Sequence, residues 1–341
     1  MTFKEIIQVN CRNHSAVRWW PHYAYHYTDV ENAVNILRTG CLYSRVEANR
    51  LKLMKNDNAS RQVIDMTNSG ATACVRFYYR PLTPTQYHNE GFKHPQARYN
   101  SDLYANVPVP VFFVFDLPQL LSMDNSYFSE MSQAGVGARL CKKPEEFARF
   151  NFKGIYGHGY MDNSDVEKKF RQAEILYMGA FPINSCLQAI CCRNNVERIT
   201  LLNLLRSVDL EKYNMYKDKI WIVRDDMFIC NGLFVTDCDY YDGTASIIFS
   251  NSCEKKRYTD KYKIVEQLRF LNIRVEFDWM GSGELLNRQY SEFPIDYENP
   301  KMITFRGLIE EKGAAVLYIK IYVEDKLMCF MNHQLSDAAL F

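Results

Sequence analysis

The alternation of apolar and polar positions predicts mixed helices and strands over the first 208 residues. Tyr25–Thr28 is aromatic and β-branched, which is typical of a short strand. Thr28-x-x-Glu31 has the form of a capping box and predicts a helix that ends at Gly40. Further strands are predicted at Ala73–Tyr79, Val109–Phe115 and Arg171–Tyr177, and further helices at about 46–55, 117–123, 144–149 and 196–205.

After about residue 208 the pattern changes to short β runs. These runs cover 219–230, 232–249, 273–279 and 302–331, with one helix expected near 259–271. Asp242-Gly243 and Glu311-Lys312-Gly313 read as hairpin turns. The apolar run Val316–Val323 is expected to be an interior strand, with a pairing edge as the alternative. The pattern therefore predicts an α+β chain with two domains, a mixed unit over 1–208 and a β-rich accessory unit over 209–341.

Charge changes this picture because the two parts differ in sign. The whole chain carries 41 Lys+Arg and 40 Asp+Glu, a net charge of +1 over 341 residues. Residues 1–200 hold 23 basic and 18 acidic side chains, whereas the remainder holds 18 and 22. A nucleic-acid coat protein would need many uncompensated basic residues, which excludes that class. A local basic cleft for a transient nucleic-acid substrate remains compatible with the first part.

Cysteine and terminal patterns indicate a soluble, reduced protein. The 11 cysteines form no CxxC, and the seven histidines form no HExxH, so no metal site is expected. The N-terminal stretch has no apolar run of signal-peptide type, and no apolar run approaches the length of about 20 residues that a membrane span needs. These patterns predict a cytoplasmic protein without a membrane partner.

Three separated motifs suggest chemistry when they are taken together. They are YHYTDVENAVNILRTGCL from Tyr25, FYYRPLTPTQY from Phe77, and RQAEILY from Arg171. In the last motif Glu174 lies between Ala173 and Ile175-Leu176, and a carboxylate in an apolar strand needs partners or a function. The order and spacing of the motifs resemble the DarT-type nucleic-acid toxins of the ADP-ribosyltransferase superfamily over residues of about 20–200. The resemblance implies a split β-sheet core with helices and NAD+ as the substrate, without a metal.

The resemblance also implies roles for individual residues. Glu174 would be the catalytic carboxylate that stabilises the oxocarbenium-like cation as nicotinamide leaves, and the polar-loop residue Arg61 would assist it. The loop 154–169 would recognise the substrate. The residues implied to bind NAD+ are His26, Tyr27, Thr28, Asn32 and one of Tyr78 or Tyr79, which would stack on nicotinamide. The residues implied to bind the nucleic acid are His158, Tyr160 and Arg171.

Two departures from the family pattern leave the target open. Asp29 stands where many relatives carry a histidine, and Phe128–Gly135 replaces a run of Asp-Gly-Asn-Ala type. Single-stranded DNA is the expected substrate, with RNA next, in a toxin–antitoxin or phage-defence setting. The alternatives are transfer to protein side chains and a non-catalytic binding module. The unit 209–341 is expected to bind an antitoxin, a chaperone or a sensed ligand, so its deletion would leave NAD+ chemistry intact but remove control.

Overall fold

The computed structural model describes residues 1–57, 69–98, 106–133, 138–159, 165–223, 226–230, 232–250 and 264–335. None of the helices in these ranges is long and apolar enough to cross a membrane. The α-helices are α1 (Phe3–Asn13), α2 (Val30–Thr39), α3 (Arg45–Arg50), α4 (Ser69–Thr72), α5 (Pro84–Asn89), α6 (Leu117–Leu121), α7 (Pro144–Phe147), α8 (Phe152–Ile155), α9 (Asp165–Phe170), α10 (Asn195–Val208) and α11 (Leu210–Tyr216).

The strands lie within the same described parts of the chain. They are β1 (Tyr23–Asp29), β2 (Cys41–Leu42), β3 (Cys74–Tyr78), β4 (Pro110–Asp116), β5 (Ser126–Ser129), β6 (Glu174–Met178), β7 (Phe181–Pro182), β8 (Leu187–Cys192), β9 (Ile220–Ile222), β10 (Val235–Tyr241), β11 (Thr244–Phe249), β12 (Phe270–Gly281), β13 (Glu284–Asp296), β14 (Ile303–Phe305), β15 (Val316–Val323) and β16 (Lys326–Gln334).

Seven strands form the N-terminal sheet, in the order β5-β6-β3-β1-β4-β8-β9. All neighbours are antiparallel except β8 and β9, which are parallel. The strand β4 has six buried residues in succession because both faces of the sheet are covered. The largest hydrophobic cluster packs α1, α2, α6 and α10 against this sheet. The expected mixed core is therefore confirmed.

The sheet divides between β1 and β3. The strand β1 pairs with β4 along its whole length, from Tyr23 to Asp29, but it pairs with β3 only at Tyr25 and Tyr78. The strand β3 in turn pairs with β6 over all five of its residues. The halves β5-β6-β3 and β1-β4-β8-β9 therefore diverge from a single residue pair. This divergence gives the split core that the resemblance implied.

The junction between β1 and α2 fixes the direction in which the chain continues from the split between β1 and β3. The strand extends to Asp29, whose carboxylate accepts a hydrogen bond from the N–H of Glu31 at 3.1 Å and caps α2. The predicted capping box on Thr28 was therefore wrong by one residue, because Thr28 still pairs within the strand. Gly40 ends α2 in the left-handed conformation at φ +69°, as predicted from the sequence.

The C-terminal part is β-rich, as expected. It contains the three-stranded sheet β10-β11-β14 and the four-stranded sheet β13-β12-β15-β16. Residues of both sheets share one hydrophobic cluster, which also includes Phe92 and Val196 of the N-terminal part. Helix α10 lies beside this cluster and accepts the N–H of Phe330 on Thr200 Oγ1 at 2.9 Å. The strand β15 is interior, as expected for Val316–Val323.

Two predictions for the C-terminal part were wrong. Of the helix expected near 259–271, the described residues contain a 3₁₀ turn at Glu266–Leu268 followed by β12. The alternate burial of β12 already begins at Phe270 and Leu271, so the β run expected at 273–279 extends back over the end of the predicted helix. Glu311–Gly313 makes a turn but no hairpin, because β14 pairs with β11 and β15 pairs with β12. The long edge strand β13 was missed, since most of its side chains are exposed or half-buried.

Candidate active site

A cavity of about 250 Å³ lies where β1 and β3 diverge. Its walls come from β1, β3, the polar side of α2, helix α3 and the segment 53–57. Beyond Tyr25, β1 is paired only with β4. Its opposite edge therefore presents backbone N–H and C=O groups that a ligand can use in place of a strand. The split of the sheet is the direct cause of the cavity.

His26 lines this cavity and carries a defined acceptor. Its Nδ1–H donates to the carbonyl oxygen of Arg76 at 2.9 Å, because a carbonyl can only accept. Burial lowers the pKa of His26, so the ring is neutral near pH 7 and Nε2 is an acceptor. Among the described residues, Nε2 makes no hydrogen bond. The hydrogen bond from His26 Nδ1 to the carbonyl of Arg76 also ties β1 to β3 just beyond the point where their strand pairing ends.

Tyr27 and Thr28 follow on the same strand. Thr28 is buried and lines the cavity. The Tyr27 ring packs against the ring of Phe112, with ring centroids 5.0 Å apart, on the face of β1 that also buries Tyr25. Its hydroxyl is buried without a partner in the described part of the chain, and burial raises the pKa of Tyr27. Tyr27 therefore borders the cavity while its ring contributes to packing.

Asn32 forms the polar side of the cavity from the first turn of α2. Its Oδ1 accepts the N–H groups of Lys55 at 2.7 Å and Asn56 at 3.2 Å, and its Nδ2 donates to the carbonyl of Asn56 at 2.6 Å. One turn later, Asn35 Nδ2 donates to the carbonyl of Leu53 at 2.8 Å. The two amides hold the segment 53–57 against the helix and shape that wall.

The two adjacent tyrosines of the second motif have different positions. Tyr78 is half-buried and lines the cavity, whereas Tyr79 is fully buried and stacks on Phe147 with ring centroids 5.9 Å apart. Burial raises the pKa of Tyr78 to about 12, and the nearby charge of Glu174 adds to this effect. Of the two residues, only Tyr78 can contact a ligand in the cavity.

Glu174 lies one strand further from the cavity, at the first position of β6. It is paired with Tyr78 on β3 and with Ser129 on β5, and it is 2% exposed. Its Oε2 accepts the backbone N–H of Gln133 at 3.4 Å. Burial raises the pKa of Glu174, while Arg76, the Gln133 N–H and the Ser132 side chain act in the opposite direction. These contacts oppose the effect of burial and favour the ionised form of the carboxylate.

Arg76 connects Glu174 to the cavity, and the sequence analysis missed it. It lines the cavity, and its Nη1 lies 3.8 Å from Glu174 Oε1. Its Nη2 is buried and has no hydrogen-bond partner within the described residues. Along β3 the residues Val75, Phe77 and Tyr79 are buried, so Arg76 and Tyr78 share the other face. This alternation was the signal that could have identified Arg76.

The predicted substrate loop is anchored at both of its described ends. Arg171 is buried, donates to the carbonyl of Gly159 at 3.1 Å and pairs with Glu167 at 2.8 Å. The buried Arg80, another residue missed from the sequence, donates to the carbonyls of Ile155 at 3.1 Å and Gly157 at 2.6 Å. Burial lowers the pKa of Arg80 to about 9. The two guanidinium groups therefore fix the backbone that leads into the loop.

The remaining predicted residues are partly outside this description. His158 is exposed and packs edge-on against the buried Trp20, with ring centroids 5.9 Å apart. It lies on the loop next to Arg171 and not in the cavity. Arg61 and Tyr160 lie outside the described residues, as does part of the loop 154–169.

A family model described as "DarT: ssDNA thymidine ADP-ribosyltransferase, DarT" matches residues 25–228, which is more than half of the chain. No curated protein matches the chain. Similar solved structures include two of a Thermus protein and one of a Thermosipho protein. Thermus sp. 2.9 DarT in complex with carba-NAD+ has 18% identity and a TM-score of 0.48, covering 61% of this chain and 98% of that chain. Thermus sp. 2.9 DarT in complex with ADP-ribosylated ssDNA has 18% identity and a TM-score of 0.49, covering 61% and 97%. Thermosipho africanus DarTG in complex with ADP-ribose has 14% identity and a TM-score of 0.44, covering 60% and 50%.

Proposed function

The chain belongs to the DarT family of single-stranded DNA thymidine ADP-ribosyltransferases, and we propose that it transfers ADP-ribose from NAD+ to thymidine in single-stranded DNA with Glu174 as the catalytic residue. The observation that carries this proposal is the position of Glu174. It is a buried carboxylate held beside the split of the sheet, next to the cavity residues Tyr78 and Arg76.

The cavity fits the nicotinamide end of NAD+. A carboxamide needs both donors and acceptors, and the cavity offers the acceptor His26 Nε2, the guanidinium of Arg76 as a donor and the unpaired edge of β1. Tyr78 offers an aromatic ring on the same side. Asn32 supports the opposite wall through the segment 53–57. NAD+ would supply the ADP-ribosyl group, and these residues would orient it.

Glu174 is suited to the chemical step. An ionised carboxylate in a water-poor site stabilises positive charge that develops on the ribose as nicotinamide leaves. It can also accept the proton of the attacking base nitrogen. Arg76 supports this role, because its charge favours the ionised form of Glu174. Arg61, implied by the resemblance, stays a predicted second catalytic residue.

The nucleic-acid substrate would approach along the loop that follows Gly159. Arg80 and Arg171 hold the backbone that leads into it, at Gly157 and Gly159, and His158 is exposed beside Trp20. Stacking of an unpaired base on an aromatic ring is worth about 1–3 kcal/mol, and the exposed His158 provides a ring of this kind. We infer that this loop, including Tyr160, contacts the DNA. RNA and protein side chains as targets, an antitoxin, a chaperone and a cytoplasmic location stay predictions.

The domain division at residue 208 also stays a prediction. Strand β9, at Ile220–Ile222, pairs with β8 of the core sheet, and Met227 and Phe228 pack on the other face of β4. The family model likewise extends to residue 228. We propose that the catalytic unit extends to about residue 228 and that the accessory unit follows it.

The test uses labelled NAD+ with single-stranded DNA, RNA and a protein extract in separate reactions. Wild type should label DNA that contains thymidine, and Glu174→Ala should not. Glu145→Ala is a matched control, because Glu145 is exposed and does not line the cavity. Label on RNA or protein and none on DNA would show that the proposed target is wrong and would identify the actual polymer. No label with any polymer, from folded protein, would contradict the proposal.

The toxin role has its own test. Expression of the wild type should arrest cell growth, whereas Glu174→Ala at equal abundance should permit growth. Equal arrest by both proteins would separate toxicity from ADP-ribose transfer.

A further inference from the structure

The C-terminal sheet contacts the wall of the cavity directly. Lys326, the first residue of β16, donates from Nζ to Asn56 Oδ1 at 3.1 Å. Asn56 is buried and lines the cavity. We propose that Lys326 is a positioning residue of the NAD+ site, supplied by the accessory sheet and acting through Asn56. This inference rests on the proposed function, because it takes NAD+ as the occupant of the cavity.

Asn56 is the residue through which Lys326 can act. Its backbone is bound on both sides by Asn32, and its Nδ2 donates to the carbonyl of Asn106 at 3.2 Å. Its Oδ1 is thus left to accept from Lys326. The adjacent Asp57 pairs with Arg45 of α3, and both line the cavity. A displacement of the Asn56 side chain is therefore expected to alter the cavity wall directly.

The hairpin that carries Lys326 is built as a rigid tip. Glu324 and Asp325 both have positive φ, at +47° and +63°, which is the pattern of a two-residue turn matched to strand twist. Left-handed conformations cost non-glycine residues energy, and they persist where the surrounding structure holds them. Glu324 Oε1 accepts a hydrogen bond from the backbone N–H of Asn272 at 2.7 Å. Arg274 Nη1 lies 3.5 Å from Asp325 Oδ1. The tip therefore holds Lys326 in one place.

The positive charge of Lys326 also acts on a buried carboxylate, that of Asp29. Asp29 caps α2 and is buried, and burial raises its pKa to about 7. The ammonium of Lys326 acts in the opposite direction on that pKa. Lys326 thus contributes charge beside the N-terminus of the helix that carries Asn32, in addition to its hydrogen bond. Methionine, a side chain of similar length with neither a charge nor an N–H donor, would supply neither effect.

The test measures NAD+ affinity in full-length protein that carries Glu174→Gln, so that turnover is suppressed during the measurement. Lys326→Met should weaken NAD+ binding about tenfold, the effect of one lost hydrogen bond to a charged group. Lys326→Arg should recover most of the affinity. Lys301→Met removes an exposed charge from the same part of the chain and should bind as the parent does. Melting temperatures identify any variant that is misfolded.

A second variant approaches the same contact from the cavity side. Asn56→Ala should weaken NAD+ binding to a similar degree, and adding Lys326→Met to it should cause little further loss, because both changes remove one interaction. Full additivity would overturn the proposal. Hydrogen exchange gives a readout without NAD+: the amides of Lys55 and Asn56 should exchange faster in Lys326→Met than in Lys301→Met.

The outcomes separate the two claims. If the parent binds NAD+ and Lys326→Met binds it equally well, the role of Lys326 is refuted and the proposed function stands. If the parent does not bind NAD+, the proposed function fails and this inference fails with it. Unchanged exchange at Lys55 and Asn56 would refute the positioning role whichever ligand occupies the cavity.

Discussion

Replacement of Arg76 by Met should move the pH dependence of ADP-ribose transfer toward higher pH. In the wild type, Arg76 Nη1 lies 3.8 Å from Glu174 Oε1, with side-chain exposures of 25% and 3%. Burial raises the pKa of Glu174 above its ordinary value, and Arg76 opposes that rise. Because the ionised carboxylate is the active form, activity is lost as pH falls through this pKa. Without Arg76 that loss should begin at a higher pH.

The separation of the two groups sets the size of the effect. Unit charges about 4 Å apart interact by about 1 kcal/mol in water and by about 4 kcal/mol at the effective dielectric constant of a protein surface. Since 1.36 kcal/mol corresponds to about one pH unit, the acid limb of Arg76→Met should move upward by about one to three pH units. Arg76→Lys keeps a charge at this position and should show a smaller displacement.

The assay is the pH profile of kcat/KM with a thymidine oligonucleotide and NAD+. In Arg76→Met, activity should fall at a higher pH than in the wild type and recover toward the wild-type level as the pH is raised further. A profile that coincides with that of the wild type would refute the electrostatic role. An equal loss at every pH would instead indicate that Arg76 acts only by binding the substrate.

Other substitutions test the site and its support. Glu174→Gln should reduce transfer by about 10²- to 10⁴-fold, as expected for loss of a positioned proton acceptor. It should also melt at a higher temperature than the wild type at pH 8, because a buried carboxylate with a raised pKa loses stability as pH rises through that pKa; a lower melting temperature would contradict this. Tyr79→Ala should cost about 3–5 kcal/mol in urea denaturation through the core cavity that it creates. Tyr78→Ala should instead raise the KM for NAD+, and the reverse pattern would exchange their roles. Glu90→Ala should cost about 3–5 kcal/mol in the same denaturation assay, because it leaves the buried Arg193 with one carboxylate partner fewer; an unchanged midpoint would show that the pair is not structural.

Local patterns predicted most of the elements that carry the site. The strand before α2, the aromatic strand of Tyr78 and the apolar strand of Glu174 each have a short sequence signature. The first two form close to their predicted bounds, and the third begins at Glu174, three residues later than predicted. Their signatures are local because alternation and capping act within a few residues. Arg76 belonged to the same alternation, but the tyrosines on both faces of β3 concealed which face is buried.

Features that depend on distant parts of the chain were not predictable in this way. The sheet splits because Tyr25 meets Tyr78 and no later pair forms, and no motif marks this. Lys326 reaches Asn56 across 270 positions of the sequence. The strand expected at 273–279 extends back to Phe270, over the end of the predicted helix, because alternate side chains of β12 pack between neighbouring strands and the second sheet. Tertiary packing decided these cases.

The central claim is that Glu174 drives transfer of ADP-ribose from NAD+ to thymidine. It is tested most directly by mass spectrometry of two single-stranded DNA oligonucleotides, one with a single thymidine and one in which cytidine replaces it. The wild type should add one ADP-ribose unit to the first oligonucleotide only, and Glu174→Gln should add it at least about 10²-fold more slowly. Modification of both oligonucleotides, or equal modification by Glu174→Gln, would contradict the account.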